Sequence, residues 1–510
     1  MRQRWQELVA AYANIPGAMR LVWQASPVAA AIMALITVMM AFLPPAQAWV
    51  GKLIVDRVVA LMEIGANPAA GLRLTLPLLA LEFLFLLMGS VGNQVRSLSE
   101  HIVNSKLTNH INGLIIRKAL ALDLSYFEDA DFYDKLQNAR KEADWRALRI
   151  VVQSFALLQS TLTLASYAVL LLRFSPWLAV VLFGATIPSF LAQNKYAHIT
   201  FRMLTWRAPE HRRMTYLEHL LTVDSYAKEV KLFGIGEPLL SRYQTLFMKF
   251  FHEDLALARR RSVISVFWGI VATMSFYGAY AWIVLRAIGR TITLGDMTLY
   301  LSVFRQSQGT FQALLYGLNE LYSNSLFMSN LFAFLALEPR MAGTGKELPA
   351  PRPIRHGIEF RDVSFRYPGR PDWALRHVNL FIRPGEKLAL VGANGAGKTT
   401  MIKLLTRLYD PTEGVILVDG VDLRDYEVQS WRDRIGVIFQ DFVRYHFSAR
   451  ENVGLAQIQA IDDYERIVEA ARKGGADPVV ARLPQGYDTM LGKWFREGHE
   501  LSGGEWQKVA

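Results

Sequence analysis

Residues 388–405 read Leu-Ala-Leu-Val-Gly-Ala-Asn-Gly-Ala-Gly-Lys-Thr-Thr-Met-Ile-Lys-Leu-Leu. The order of these residues predicts a short apolar strand, a glycine-rich turn and then a helix. The turn has the spacing G-x-x-x-x-G-K-T, and the strand before it and the helix after it are the context that a phosphate-binding loop requires. Glycines allow successive backbone N–H groups to point at a phosphate chain, and the helix adds the positive end of its dipole. In such a loop Lys398 contacts the β- and γ-phosphates, and the Thr399 hydroxyl contacts Mg²⁺.

The composition outside this loop indicates a membrane protein. Hydrophobic residues make up 52% of the 510 residues and charged residues only 20%, which is too apolar for an ordinary soluble protein. The net charge of +11 fits either a nucleic-acid partner or basic cytoplasmic loops, and membrane spans favour the loops. We therefore expect no nucleic-acid partner. The absence of cysteine excludes disulfides, thiolate catalysis and Cys-ligated zinc.

The first two thirds of the chain contain apolar segments long enough to cross a bilayer. Six are predicted, at residues 28–50, 72–92, 150–172, 175–192, 262–285 and 297–318. The second and third, and likewise the fourth and fifth, are separated by long connections that carry most of the basic residues, ending in Arg259-Arg260-Arg261. By the positive-inside rule these connections, the N-terminus and everything after residue 319 are cytoplasmic. The pattern predicts a multi-pass protein of the cytoplasmic (inner) membrane.

Two features of this region have more than one interpretation. Turn residues around aromatic side chains interrupt the long connections at Leu124–Asp129 and Lys231–Gly236. Each break is either a plain helix–helix corner or a short element inserted into a partner domain. Arg305 lies inside the sixth segment, where an ionisable group is expensive and usually faces a bundle interior or a wet cavity. We expect Arg305 to line a cavity, the alternatives being snorkelling and helix packing.

A linker rich in proline and glycine, residues 338–356, separates the membrane region 1–337 from a final region, 357–510. The final region begins with a largely alternating strand pattern at 358–367. Asp419-Gly420 is a hairpin signal between two short strands. Residues 435–439 are apolar and predict a buried strand that ends at Gln440.

Leu501-Ser502-Gly503-Gly504-Glu505 completes a set of motifs that resembles a known family. A phosphate-binding loop, a glutamine about forty residues later and this pentapeptide about sixty residues further on resemble the nucleotide-binding domain of an ATP-binding cassette (ABC) transporter. With the predicted spans in front, the whole chain looks like an ABC exporter half-transporter. The resemblance implies an all-α six-helix transmembrane domain followed by an α/β P-loop nucleotide-binding domain of the ABC ATPase type.

The resemblance also implies roles for individual residues, with ATP and Mg²⁺ as cofactors. Tyr367 would stack on adenine, and Gln440 would contact Mg²⁺ or the attacking water. Lys398, Gln440 and Ser502 would be the catalytic set, and Thr399 and Gln440 the metal ligands. The residues implied to contact nucleotide are Tyr367, Gly392, Asn394, Gly395, Gly397, Lys398, Thr399, Thr400, Gln440, Ser502, Gly503 and Gly504. In the family the last three face the ATP held by the other subunit, so the resemblance implies a dimer, either homodimer or heterodimer.

The chain departs from the family pattern in two places. Glu505 stands where the family more often has Gln, and the family's Asp-Glu strand, which holds Mg²⁺ and activates water, would follow Ala510. On the sequence as it stands we expect poor ATP hydrolysis. The leading hypothesis is an ATP-driven exporter subunit; the alternatives are a hydrolysis-deficient nucleotide-binding membrane protein that acts with a competent partner, and a soluble ABC-type module. The transported substrate does not follow from the sequence.

Overall fold

The computed structural model describes residues 14–174, 176–341 and 346–510. They form two compact units. The first reaches to Leu122 and continues from Tyr126 to Pro339, and the second consists of Asp123–Ser125 and Arg340–Ala510. The change of unit at Pro339 falls within the predicted linker.

The first unit is built from helices, most of them long. In chain order, the helices of its described residues are α1 (Ile15–Ala25), α2 (Pro27–Glu63), α3 (Pro68–Ala121), α4 (Leu124–Phe127), α5 (Ala130–Phe174), α6 (Pro176–Thr222), α7 (Asp224–Leu232), α8 (Gly236–Ile288) and α9 (Leu294–Leu335). At about 1.5 Å per residue, α3 is about 80 Å long, well over twice the roughly 30 Å hydrocarbon core of a bilayer. A helix of this length extends far beyond the membrane.

Among the described residues, four helical stretches are long and apolar enough to cross a membrane. They are Pro27–Glu63, Pro68–Ala121, Arg146–Leu172 and Gly236–Ile288, and they contain the first, second, third and fifth predicted segments. The predicted segment 297–318 lies in α9, and the fourth predicted segment lies in α6 from residue 176 to residue 192, its first residue, 175, being outside the described residues. They remain predictions of spans, and α9 carries Arg305 and three glutamines over this length.

Both predicted breaks in the long connections are present. The short helix α4 follows α3 directly, and α7 is separated from α8 by a turn in which Gly234 has φ +61°. In the second break, Leu232 and Phe233 are 78% and 67% exposed. Large apolar side chains at a turn are compatible with a docking element as well as with a corner.

Apolar side chains spaced four residues apart hold the first unit together. Val103, Leu107, Ile111 and Ile115 occupy one face of α3 and are almost fully buried, as expected when positions four apart share a face. They join a cluster that also contains Met328 of α9. A second cluster packs α5, α8 and α9 together and includes Tyr167, Ile283 and Phe304.

The second unit contains an antiparallel sheet in the order β2-β1-β3-β4. The strands are β1 (Ile358–Phe365), β2 (Leu375–Ile382), β3 (Glu413–Val418) and β4 (Val421–Asp422). Phe360 is opposite Leu380 on one side and Ile416 on the other. The Asp419-Gly420 hairpin is confirmed: both residues have positive φ, +50° and +83°, as a type I′ turn requires.

Two predicted strands, 388–391 and 435–439, are absent from the sheets that the described residues form. Both stretches are irregular, and apolar side chains in them are exposed, with Val391 at 93% and Ile438 at 57%. The prediction of a buried strand at 435–439 is wrong for this structure. An apolar run shows that a stretch favours burial, whereas a strand also needs a neighbouring strand to pair with.

Short helices complete the second unit. They are α10 (Lys398–Leu405), α11 (Val428–Arg432), α12 (Ala449–Gly454), α13 (Tyr464–Gly474), α14 (Asp477–Val480) and α15 (Gly503–Val509). The unit also includes Asp123–Ser125. The Asp123 carboxylate accepts the backbone N–H of Met341 at 2.9 Å, and Leu124 packs against the core around Trp431.

Candidate nucleotide-binding site

The predicted phosphate-binding loop turns into α10 through two glycines in the left-handed region. Gly395 has φ +83° and Gly397, the residue that caps α10, has φ +86°. A Cβ on Gly397 would lie 2.5 Å from Leu375 Cδ2 and 2.8 Å from the Ala374 carbonyl oxygen, whereas a Cβ on Gly395 would meet nothing within 4 Å. Position 397 therefore requires glycine for two reasons: its φ is positive, and the chain leading into β2 leaves no room for a Cβ.

Lys398 is the first residue of α10. Its ammonium group donates hydrogen bonds to the carbonyl oxygens of Gly392, at 2.7 Å, and Ala393, at 2.8 Å. The side chain therefore lies back over the loop that precedes it, and its positive charge is held among the loop's backbone groups. A phosphate chain in this loop would compete with the two carbonyl oxygens for the ammonium group.

Tyr367 and Thr400 meet beside the loop. The Tyr367 hydroxyl lies 3.0 Å from Thr400 Oγ1, and Thr400 is 6% exposed. The Tyr367 ring packs edge-on against Phe365, with ring centroids 5.0 Å apart, and Lys403 Nζ lies 5.3 Å from the centre of the Tyr367 ring. The sequence analysis gave Tyr367 and Thr400 each a contact with nucleotide but no contact with each other. In the structure their hydroxyl groups are within hydrogen-bonding distance. Stacking of Tyr367 on adenine remains a prediction.

The two predicted metal ligands, Thr399 and Gln440, are exposed polar side chains. Thr399 is the second residue of α10, and Gln440 lies in a turn directly after the irregular stretch 435–439. Among the residues that the structure describes, no group of three His, Cys, Asp or Glu side chains could hold a metal ion. A cation here would thus depend on hydroxyl and amide oxygens together with ligands from a bound nucleotide, which suits Mg²⁺.

The Leu-Ser-Gly-Gly-Glu segment forms the start of α15. Ser502 Oγ accepts the backbone N–H of Glu505, and the Glu505 carboxylate accepts the backbone N–H of Ser502 at 3.0 Å and its hydroxyl at 2.8 Å. These contacts are a capping box. The backbone N–H and the hydroxyl of Ser502 lower the pKa of Glu505. Trp506, 1% exposed, anchors the helix, while Gly503 and Gly504 are exposed at its start.

The structure adds Arg482 to this segment. Arg482 Nη2 donates to Glu505 Oε1 at 3.0 Å, so the carboxylate is shared between the helix cap and an arginine 23 residues earlier. The sequence does not predict this contact. Arg482 and Glu505 are 23 residues apart in the chain, and two charged residues on different elements have no characteristic spacing.

Within one chain the loop and the Leu-Ser-Gly-Gly-Glu segment belong to different hydrophobic cores. Leu404 of α10 packs in the core that contains Phe360 and Trp431, whereas Leu501 and Trp506 pack in a second core. The predicted site residues therefore fall into two groups, one around Lys398 and one at Ser502. The loop geometry, the lysine and the exposed hydroxyls fit a nucleotide phosphate chain.

Comparison with known proteins identifies a matching family model and several relatives. Residues 375–510 match the family model described as ABC transporter. The chain is 30% identical over 400 residues to the subtilin transport ATP-binding protein SpaT of Bacillus subtilis, and this match covers 78% of the chain and 65% of SpaT. It is 26% identical over 498 residues to the nisin transport ATP-binding protein NisT of Lactococcus lactis, which covers 98% of the chain and 81% of NisT.

A solved structure has a similar fold. The structure of a bacterial Atm1-family ABC exporter with ATP bound superposes with a TM-score of 0.74 and 22% sequence identity, and the match covers 94% of this chain and 82% of that one. The similarity includes the helical region as well as the region with the phosphate-binding loop. The chain spans about two thirds of the length of SpaT and about four fifths of NisT.

Proposed function

Because the chain belongs to the ABC transporters, with membrane-length helices ahead of a nucleotide-binding region, we propose that it is a half-transporter that exports a substrate with the energy of ATP. The proposal rests on one observation: the same chain contains the Lys398 loop, the Ser502 cap and helices long and apolar enough to span a membrane. The nucleotide-binding region lies in the cytoplasm, and the membrane is the cytoplasmic membrane.

The residues have distinct tasks in this proposal. Lys398 and the backbone N–H groups of the loop bind the β- and γ-phosphates. Thr399 and Gln440 would hold Mg²⁺, which when bound would neutralise the charge of the phosphate groups. Tyr367 lies beside the loop, on Thr400, and supports the adenine ring. Two features fit a bound nucleotide and Mg²⁺: the hydrogen-bond donors of the loop, and the exposed hydroxyl of Thr399 and amide of Gln440.

In this proposal two chains form each complete site. Ser502, Gly503 and Gly504 lie in a different core from Lys398 within one chain. We therefore place these three residues against nucleotide held by the loop of a second half-transporter. ATP would clamp the two nucleotide-binding regions head to tail, and the closure would move the membrane helices.

The two helix breaks couple these events to the membrane helices. Asp123 accepts the backbone N–H groups of Arg340 at 2.5 Å and of Met341 at 2.9 Å within the second unit. Only Leu122 separates Asp123 from the end of α3, so a movement of the second unit is transmitted to the end of a helix of spanning length. The exposed Leu232 and Phe233 of the other break are suited to docking on a second chain.

The test uses the absence of native cysteine. Asn394→Cys, labelled with a benzophenone maleimide in native membranes, is irradiated with and without Mg²⁺ and ATP. We expect an ATP-dependent adduct, and mass spectrometry should locate it on the 501–506 peptide of a second copy or on the equivalent peptide of a related chain. Lys398→Ala should abolish the adduct. An adduct that is absent with nucleotide, or unchanged by it, would refute the head-to-tail arrangement.

A further inference from the structure

The exposed face of α9 is polar along the part of the helix predicted to cross the membrane. Between residues 302 and 316 the exposed positions are Ser302, Arg305, Gln306, Gly309, Gln312, Ala313 and Tyr316. Their spacing of three and four residues places them on one side of the helix. We call the six other than Ala313 the polar stripe. The opposite side carries buried Val303 and Phe304.

The helix α3, which is long and apolar enough to cross a membrane, shows the reverse pattern. The exposed large side chains of α3 include Leu72, Leu76, Leu79, Phe83 and Leu87, as expected for a surface that contacts lipid. The polar stripe would leave several hydrogen-bonding groups unsatisfied in hydrocarbon. It therefore faces water or another polar surface, and not lipid.

Arg305 is the only charged member of the stripe. It lies 11 residues, about 16 Å, from the start of α9 and well inside the predicted span 297–318. From this depth its guanidinium cannot reach either membrane surface easily. Among the described residues, no carboxylate forms an ion pair with Arg305. An unpaired charge at this depth is costly unless a ligand or partner neutralises it.

The neighbouring residue is held in place by the helix bundle. Gln306 Oε1 accepts the hydroxyl of Tyr167 at 2.5 Å, and Tyr167, on α5, is 1% exposed. The contact anchors this turn of α9 to the bundle, so the Arg305 side chain starts from a fixed backbone. Gly309, one turn further on, meets nothing within 4 Å of its potential Cβ, which leaves open space beside the arginine.

We propose that Arg305 binds an anionic group of the transported substrate, so that the cargo is an amphipathic molecule bearing a carboxylate or a phosphate. This inference rests on the proposed export function and names the substrate class for it. A guanidinium suits both anions, because its fork of N–H donors matches two oxygens at once. The other residues of the polar stripe form a hydrophilic path for the substrate along α9. The aromatic ring of Tyr316, 54% exposed, offers a contact for the apolar part of the substrate.

The test compares two fluorescent probes that differ in one charge. The full chain in phosphatidylcholine nanodiscs is titrated with 11-(dansylamino)undecanoic acid and with its methyl ester, and empty nanodiscs correct for partition into lipid. We expect the wild type to bind the acid about tenfold more tightly than the ester, since charge-assisted hydrogen bonds contribute at least about a factor of ten in affinity. Arg305→Gln should remove the preference, and Arg305→Lys should keep part of it.

A matched control separates the site from general charge effects. Arg73 is an exposed arginine near the start of α3, outside the polar stripe, and Arg73→Gln should leave the preference for the acid unchanged. Competition with dodecanoate and with dodecyl phosphate then identifies the favoured anion, and either result supports the inference. Equal binding of both probes by the wild type, or a preference that survives Arg305→Gln, would overturn it.

One rival explanation has its own signature. Glu82 lies about 20 Å along α3, at a similar depth, and the same residue on a second copy could neutralise Arg305. In that case the wild type would bind both probes equally and only Glu82→Gln would create a preference for the acid, which would refute the inference. Binding of a fluorescent ATP analogue is measured in the same sample. Loss of nucleotide binding would count against the export function, whereas the inference about Arg305 depends only on the probes.

Discussion

Gly397→Ala should damage the phosphate-binding loop far more than Gly395→Ala. Both glycines have nearly the same positive φ, but only Gly397 lies against other atoms, with Leu375 Cδ2 at 2.5 Å and the Ala374 carbonyl oxygen at 2.8 Å from its potential Cβ. The pair therefore separates the cost of the backbone conformation from the cost of the close approach.

The two costs can be compared in magnitude. A residue with a Cβ in the left-handed region loses about 1–2 kcal/mol, and forcing an extra carbon into a packed site costs about 1–3 kcal/mol more. Gly395→Ala carries only the first cost and Gly397→Ala carries both. If the loop relieves this strain by changing its shape, nucleotide affinity should fall about 5- to 30-fold for Gly395→Ala and about 30-fold or more for Gly397→Ala.

The assay is a titration of the full chain in nanodiscs with a fluorescent ATP analogue. Gly475→Ala serves as the control, because Gly475 also has a positive φ, +75°, and open space around it, but caps the end of α13 and is not one of the site residues. We expect its affinity for the analogue to equal that of the wild type. Equal losses for Gly395→Ala and Gly397→Ala would show that the approach to Ala374 and Leu375 does not control the loop, and would refute the reasoning.

Three further predictions concern local stability and are checked by amide hydrogen exchange on the full chain. Glu505→Ala should speed exchange at Ser502, since it removes a capping contribution of about 1 kcal/mol, while Glu505→Gln should retain most protection; equal effects would contradict the cap. Trp506→Ala should expose the whole of α15, because deleting a buried Trp side chain costs about 3–5 kcal/mol; retained protection would contradict this. Burial of Asp419 opposes ionisation, but the backbone N–H groups of residues 355–357 lower the pKa of its carboxyl group. Protection of these three N–H groups from exchange should therefore be full above about pH 4, the ordinary range for Asp. It should weaken as the pH falls through the lowered pKa. Asp419→Asn should flatten this pH dependence, and an unchanged profile would contradict the assignment.

Motifs with a local physical cause were predictable from the sequence. The loop around Lys398 and the Asp419-Gly420 turn depend on glycine and on neighbouring residues, and the structure shows both. The cap at Ser502 has the same local character, because its partner Glu505 is three residues away. The helix breaks in the two long connections were also found, since turn residues interrupt a helical pattern locally.

Features that depend on a distant partner were not predictable in this way. The apolar stretch 435–439 was expected to be a buried strand, but pairing is a property of two strands and the sequence pattern describes only one. The contact of Arg482 with Glu505 and the bond from Tyr167 to Gln306 join elements far apart in the chain. The polar stripe of α9 became visible only when exposure was known, because the alternation of polar and apolar residues does not by itself show which side is covered.

ATP bound at the Lys398 loop should change how accessible the polar stripe of α9 is to water. The most direct test places the only cysteine of the chain at Gln312, in the polar stripe, and measures its rate of labelling by a membrane-impermeant maleimide in inside-out vesicles. Asp462→Cys, on the exposed surface of the second unit, is the control for reagent access. We expect Mg²⁺ and ATP to slow labelling at residue 312 several-fold, to leave labelling at residue 462 unchanged, and to have no effect when Lys398→Ala is added. A labelling rate at residue 312 that is the same with and without ATP would show that nucleotide does not control access to α9.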